Sequence, residues 1–176
     1  MRRMSQKQKN TGLILTGGGA RGAYQAGVLR GIAEIAKSRT QTLPCDIISG
    51  ASAGALNVGF IAATADNFSR AARQLAEFWN SLRAESVFRT DVRSLSRISM
   101  HWAADLTLGN VRKKKQAVSL VDTSPLRQLL ELRLPFNGIT KHLSSGILSA
   151  VEVSALDYNT SENVSFIMSR QPRAAW

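Results

Sequence analysis

The 176-residue chain has one cysteine, Cys45, which excludes an internal disulfide and any cysteine-based metal cluster and suits a reducing compartment. Cys45 itself precedes a strand expected to be buried and reads as a small apolar residue. Charge interrupts every apolar run well before the ~20 residues that a bilayer-crossing helix needs. Met1 to Asn10 carries Arg2, Arg3, Lys7 and Lys9 but lacks the apolar core of a secretory signal. A flexible basic leader over 1–10 and one domain over 11–176 are therefore expected, in a cytoplasmic protein with peripheral membrane contact as the further option. Repeats and low-complexity tracts are missing, and the length suits a single core.

Acidic residues are scarce. Twelve face 23 basic ones, a formal net charge of +11, which bears on partners rather than on fold. Arg112-Lys113-Lys114-Lys115, the leader and Arg21 would attract anionic phospholipid at about 1 kcal/mol per basic residue near the surface. Nucleic acid would answer to the same charge. Yet the basic residues are scattered, with no zinc-finger spacing and no aromatic RNA-binding block, so no nucleic-acid partner is expected. A solvated basic face without a dedicated partner is the plain alternative.

What the chain does have is glycine at two strand-to-helix junctions. Gly50-Ala51-Ser52-Ala53-Gly54 sits between the strand-like Asp46-Ile47-Ile48-Ser49 and an apolar helical run from Ala55 to Ala63. That order is the form of a nucleophile elbow, in which a strained turn throws the serine oxygen outward and the flanking Gly50 and Gly54 spare Cβ clashes. Ser52 is the candidate nucleophile. A helix N-cap is the competing explanation, because serine suits that position as well.

Upstream, Gly12 to Thr16 reads as a buried strand running into Gly17-Gly18-Gly19-Ala20-Arg21-Gly22, with a helix from Ala23 to about Lys37. Glycine-rich loops before helices bind anions through inward-turned amides and the helix dipole, and a developing oxyanion is such an anion. The same glycines fit Gly-x-Gly-x-x-Gly, but a dinucleotide site wants an acidic residue closing the second strand. Asp46 opens that strand instead. A Walker loop fails for want of Lys followed by Ser or Thr.

Gly17 through Leu29 resembles the oxyanion block of the patatin-like phospholipases, and Gly50-Ala51-Ser52-Ala53-Gly54-Ala55 resembles their nucleophile block. The resemblance implies a mostly parallel α/β sheet flanked by helices in three layers. It implies that Ser52 attacks the carbonyl of a phospholipid or other lipid ester, with Gly17, Gly18, Gly19, Arg21 and Gly22 lining the oxyanion region and no cofactor. It also implies a Ser-Asp dyad with the base in an Asp-Gly segment. None of the six aspartates, Asp46, Asp66, Asp91, Asp105, Asp122 and Asp157, precedes glycine, so the chain is expected to be an N-terminal portion truncated before that block and weak or inactive alone. A non-catalytic chain that binds lipid or a partner is the alternative.

The histidines offer another base only by chain order: Asp105 or Asp122 followed by His142 has the order of a hydrolase triad. His101 and His142 both lie in helical-looking stretches where a packing or surface role is the expectation. Asn67 to Leu82 and Val92 to Leu106 show helical apolar stripes, and Gly109 to Gln116 reads as a basic loop. Asp122-Thr123-Ser124-Pro125 starts a helix, whereas Ile147 to Leu156 and Val164 to Met168 read as strands, and the segment Asp157 to Asn163 between them resembles a hairpin of that family.

Overall fold

The computed structural model describes residues 11–87, 123–157 and 160–170. They form two compact units. Of the described residues, the larger unit takes in 11–80, 135–155 and 163–170, and the smaller 81–87, 123–134, 156–157 and 160–162. The expected leader, the Val92 to Leu106 helix, the Gly109 to Gln116 loop and the residues His101, Asp105 and Asp122 lie outside the described residues.

The larger unit is built on a mixed α/β plan. β1 (Gly12–Leu15) leads through the glycine loop to α1 (Gly22–Ala36), and β2 (Ile47–Ala51) leads directly into α2 (Ala53–Ala63), followed by α3 (Phe68–Ser81). Between α3 and the later elements of this unit, α4 (Ala84–Val87) and α5 (Ser124–Arg133) belong to the smaller unit, where they pack against each other. Thr123 occupies the N-cap of α5 and Pro125 lies in its first turn, as the sequence pattern expects. α6 (Asn137–Ser145), β3 (Ala150–Asp157) and β4 (Glu162–Ser169) complete the order.

The sheet runs β1-β2-β3-β4. β1 pairs parallel to β2 from Gly12↔Ile47 to Leu15↔Gly50, and β2 pairs parallel to β3 from Ile47↔Ala150 to Ala51↔Ser154. The short connection from β3 to β4 allows only an antiparallel return, closed where the Ser161 N–H donates to the Asp157 carbonyl at 2.8 Å. β2 runs two residues further into the glycine motif than its apolar pattern suggests, because Gly50 and Ala51 still pair with Val153 and Ser154.

The core sits where α2 crosses β1 and β2. Val58, Ile61 and Ile48 are fully buried there, joined by Leu15, Phe60 and Val151. A helix apolar on nearly every side must be central, and α2 packs against α1, α6, β1 and β2. α3 turns Phe68, Ala71, Ala72, Leu75 and Phe78 inward, while Trp79 and Leu82, which the spacing placed on the same stripe, are half-buried and Leu82 lies past the helix end; the Phe78 ring meets Phe60 at 4.5 Å between centroids.

Asp46 ties the N-terminal ends of three strands together. Its carboxylate accepts from the Thr11 N–H at 2.7 Å and the Ser149 hydroxyl at 3.3 Å, while its carbonyl accepts from the Ser149 N–H at 2.7 Å. This places Asp46 at the end of β2 remote from the glycine loop, which gives the carboxylate a structural role without a ribose. No helix among the described residues is long and apolar enough to cross a membrane.

Candidate active site

Ser52 stands alone between β2 and α2 with φ 53° and ψ −121°. A side chain at that φ is strained, and such conformations persist only where the surroundings enforce them. Here two close approaches do so. A Cβ added to Gly54 would overlap the Leu15 carbonyl, and one added to Gly50 would fall 2.5 Å from the Gly54 oxygen and 2.8 Å from Val58 Cγ2. The start of α2 is thus pressed onto the end of β1, and the chain can turn between them only through residue 52. Ser52 is exposed, occupies the N-cap position and makes no side-chain capping bond. Its hydroxyl is not spent on holding the helix.

The first glycine turn lies against it. A Cβ on Gly17 would sit 3.2 Å from Ser52 Cβ and 3.4 Å from the Ala51 oxygen, so the two junctions adjoin at the carboxyl ends of neighbouring parallel strands. Gly19 adopts φ 55°, and Gly19–Arg21 form a 3-10 turn in which the Arg21 N–H donates to the Gly18 carbonyl at 3.1 Å. Among the described residues no acceptor meets the N–H of Gly17, Gly18 or Gly19. The Arg21 side chain is exposed, with its stem near Gly18 and no ion-pair partner among the described residues.

Gly22 answers a different demand. A Cβ there would enter the Trp79 ring and lie 3.0 Å from Ala53 Cβ, so glycine lets α1, α3 and the start of α2 converge. Inside this junction Asn57 is completely buried. Its Nδ2 donates to the Gly22 carbonyl at 3.1 Å and to Gln25 Oε1 at 2.9 Å, and its Oδ1 accepts from Trp79 Nε1 at 2.7 Å. Gln25 Nε2 donates in turn to the Thr16 carbonyl at 2.8 Å. Sequence reasoning places Trp79 only in an apolar stripe and assigns no role to Asn57 or Gln25, although Asn57 is the one strongly polar residue in an otherwise apolar helix.

A second polar cluster lies along the β2/β3 ladder. Glu152, in register with Ser49, accepts from the Ser49 hydroxyl and from Ser154 Oγ at 2.5 Å. Partial burial pushes its carboxyl upward, but the hydroxyls of Ser154, Ser49 and Ser165 and the Gly50 N–H outweigh this and hold it below the usual carboxylate range. Cys45 behaves oppositely: burial, and then the Asp46 charge, push its thiol up to about 11.

The route through His142 does not assemble among the described residues. His142 is buried, 2% exposed, with Nδ1 donating to the Ala62 carbonyl at 2.8 Å and Nε2 3.5 Å from Asp66 Oδ1. Ala62 lies ten residues along α2 from Ser52, about 15 Å at 1.5 Å per residue. His142 therefore packs at the far end of the helix. Among the described residues no recorded hydrogen bond brings a carboxylate or imidazole to Ser52.

A strained serine, two indispensable glycines and an adjoining amide loop agree with the comparison against known families, where the patatin-like phospholipase model matches residues 13–173. The chain belongs to the patatin-like phospholipase family. A patatin-like phospholipase domain-containing protein of Caenorhabditis elegans, ZK370.4, is 46% identical over 56 residues, covering 32% of this chain and 4% of that relative. No solved structure matches. Membership of the patatin-like phospholipase family accounts for the mostly parallel sheet.

Proposed function

We propose that this chain carries the acylation half of a serine lipid acyl hydrolase site, with Ser52 as nucleophile and the Gly17 to Gly22 loop as oxyanion cradle. The approach of Gly17 to Ser52, 3.2 Å from a would-be Cβ to Ser52 Cβ, carries the reading. Ser52 Oγ adds to the carbonyl carbon of a lipid ester, and the carbonyl electron pair moves onto oxygen. The N–H groups of Gly17, Gly18 and Gly19, which have no internal acceptor among the described residues, stabilise that charge. Each such donor contributes about 3 to 4 kcal/mol to the transition state. Solvent takes the Oγ proton and returns one to the leaving oxygen as the C–O bond breaks and the alcohol departs, and water then adds to the acyl carbon, freeing the carboxylic acid and restoring the Ser52 hydroxyl.

The proton on Oγ needs an acceptor. With no base recorded at Ser52 among the described residues, turnover by these residues is slow, and Arg21 serves to order the loop or to meet an anionic head group. A fluorophosphonate probe tests the site directly. Adduct formation at Ser52, slow and rising with pH, is expected, and Ser52→Ala should abolish it. Adducts spread over other serines, or no more adduct than in Ser52→Ala, would contradict the reading.

One observation favours a second reading, lipid binding without turnover. Ile14, Tyr24, Ile35 and Phe166 are 75%, 78%, 80% and 60% exposed on a chain of net charge +11, a combination suited to an anionic membrane surface. Salt-sensitive flotation with anionic vesicles by a chain that the probe leaves unlabelled would select this reading.

A further inference from the structure

We propose that Asn57 and Gln25 are positioning residues that fix the direction of the Gly17 N–H, an inference resting on the reading of Ser52 and the glycine loop as an acyl-transfer site. The peptide bond between Thr16 and Gly17 is trans, so its C=O and N–H point in opposite directions. Gln25 Nε2 holds the Thr16 carbonyl at 2.8 Å on the α1 side, and this turns the Gly17 N–H away from α1. Gln25 is held by Asn57, which also grips the Gly22 carbonyl at the other end of the loop. Trp79 fixes Asn57 in turn. Because an indole N–H only donates and a carbonyl only accepts, the Asn57 carboxamide has one permitted orientation: Oδ1 toward Trp79 and Nδ2 toward Gly22 and Gln25.

The arrangement has a chemical rationale. A buried asparagine in an apolar helix is costly unless its polar atoms are engaged, and Asn57 engages both Nδ2 protons and Oδ1. A helix between α1 and the sheet could be packed with leucine at this position without such a cost. What the carboxamide adds is a directional link from the helix that begins at Ser52 to both ends of the loop, and preorganised donors are most effective when they need not reorient during reaction.

Gln25→Glu and Asn57→Asp test this in the full chain. Gln25→Glu keeps an acceptor for Asn57 but loses the donor to the Thr16 carbonyl. Asn57→Asp keeps the acceptor for Trp79 and loses both donors. Backbone 15N relaxation and the saturation kinetics of a fluorophosphonate probe are read on each variant, with urea midpoints to verify folding. Order parameters at Gly17 to Gly19 should fall from about 0.85 to below about 0.6 while those of Val58 and Ile61 hold. The maximal rate of Ser52 phosphonylation should drop about tenfold or more with the half-saturating probe concentration unchanged. In the double variant the losses should be far from additive, because Asn57 reaches the Thr16 carbonyl only through Gln25. A folded Gln25→Glu chain with unaltered glycine order parameters and a maximal rate within about twofold of wild type would overturn the proposal, and this variant decides the matter even where Asn57→Asp does not fold. If the wild-type chain takes no label, the acyl-transfer reading falls, and relaxation alone still decides whether the clamp exists.

Discussion

Replacing Ser52 by glycine should make the protein more stable. The residue sits at φ 53°, ψ −121°, a conformation that glycine adopts freely and that a Cβ opposes. Strain of this kind costs on the order of 1 to 3 kcal/mol, while glycine brings about 0.5 to 1 kcal/mol of extra unfolded-state freedom. The serine side chain is exposed and makes no capping bond, so its removal loses no internal hydrogen bond. The balance is a gain of roughly 0 to 2.5 kcal/mol, centred on about 1 kcal/mol. With a urea dependence of about 1 to 3 kcal/mol per molar, the unfolding midpoint should rise by roughly half a molar. Ser52→Ala keeps the Cβ and hence the strain, so its midpoint should stay close to wild type. Equal midpoints for Ser52→Gly and Ser52→Ala, or a lower one for Ser52→Gly, would refute the claim that the turn stores strain at the candidate nucleophile.

Gly54→Ala should do the reverse, since its Cβ would overlap the Leu15 carbonyl and force α2 off β1; a loss of about 1 to 3 kcal/mol or more is expected in the same urea assay. Glu152 contributes to acid resistance. Its carboxyl titrates below its ordinary value of 4.5 when folded, so the unfolded chain binds the proton more readily and stability falls as pH drops from about 4.5 through the folded value. Urea midpoints between pH 7 and pH 3 should therefore decline less steeply for Glu152→Gln, and parallel profiles would contradict this. Cys45, with its thiol at about 11, should react with iodoacetamide at pH 8 about a hundredfold more slowly than an ordinary thiol, until denaturant exposes it.

The two turns of the candidate site are legible as strand-to-helix junctions in the residue pattern, while their catalytic role stays a proposal. The two glycine motifs carry their own geometry: Gly54 and Gly50 exist because a backbone atom occupies the space of a side chain, and only a strand-to-helix junction demands that at such spacing. The stripe of α3 and the start of α5 followed from periodicity and proline placement. β2 was read too short because glycine looks like punctuation, whereas here Gly50 is a paired strand residue. What the residue pattern hid was polar and distant in sequence. Asn57, Gln25 and Trp79 meet only after three helices converge on Gly22, and Glu152 finds Ser49 only through strand register. Pairing across 22 to 103 positions leaves no local signal. A lone asparagine in an apolar helix is the one clue that was present.

The most direct test of the central claim is a structure of the chain carrying a phosphonate on Ser52. The account requires the phosphoryl oxygen to lie about 2.7 to 3.1 Å from main-chain nitrogens of Gly17, Gly18 or Gly19. An adduct whose oxygen points to solvent, with no glycine-loop nitrogen within hydrogen-bonding distance, would contradict it.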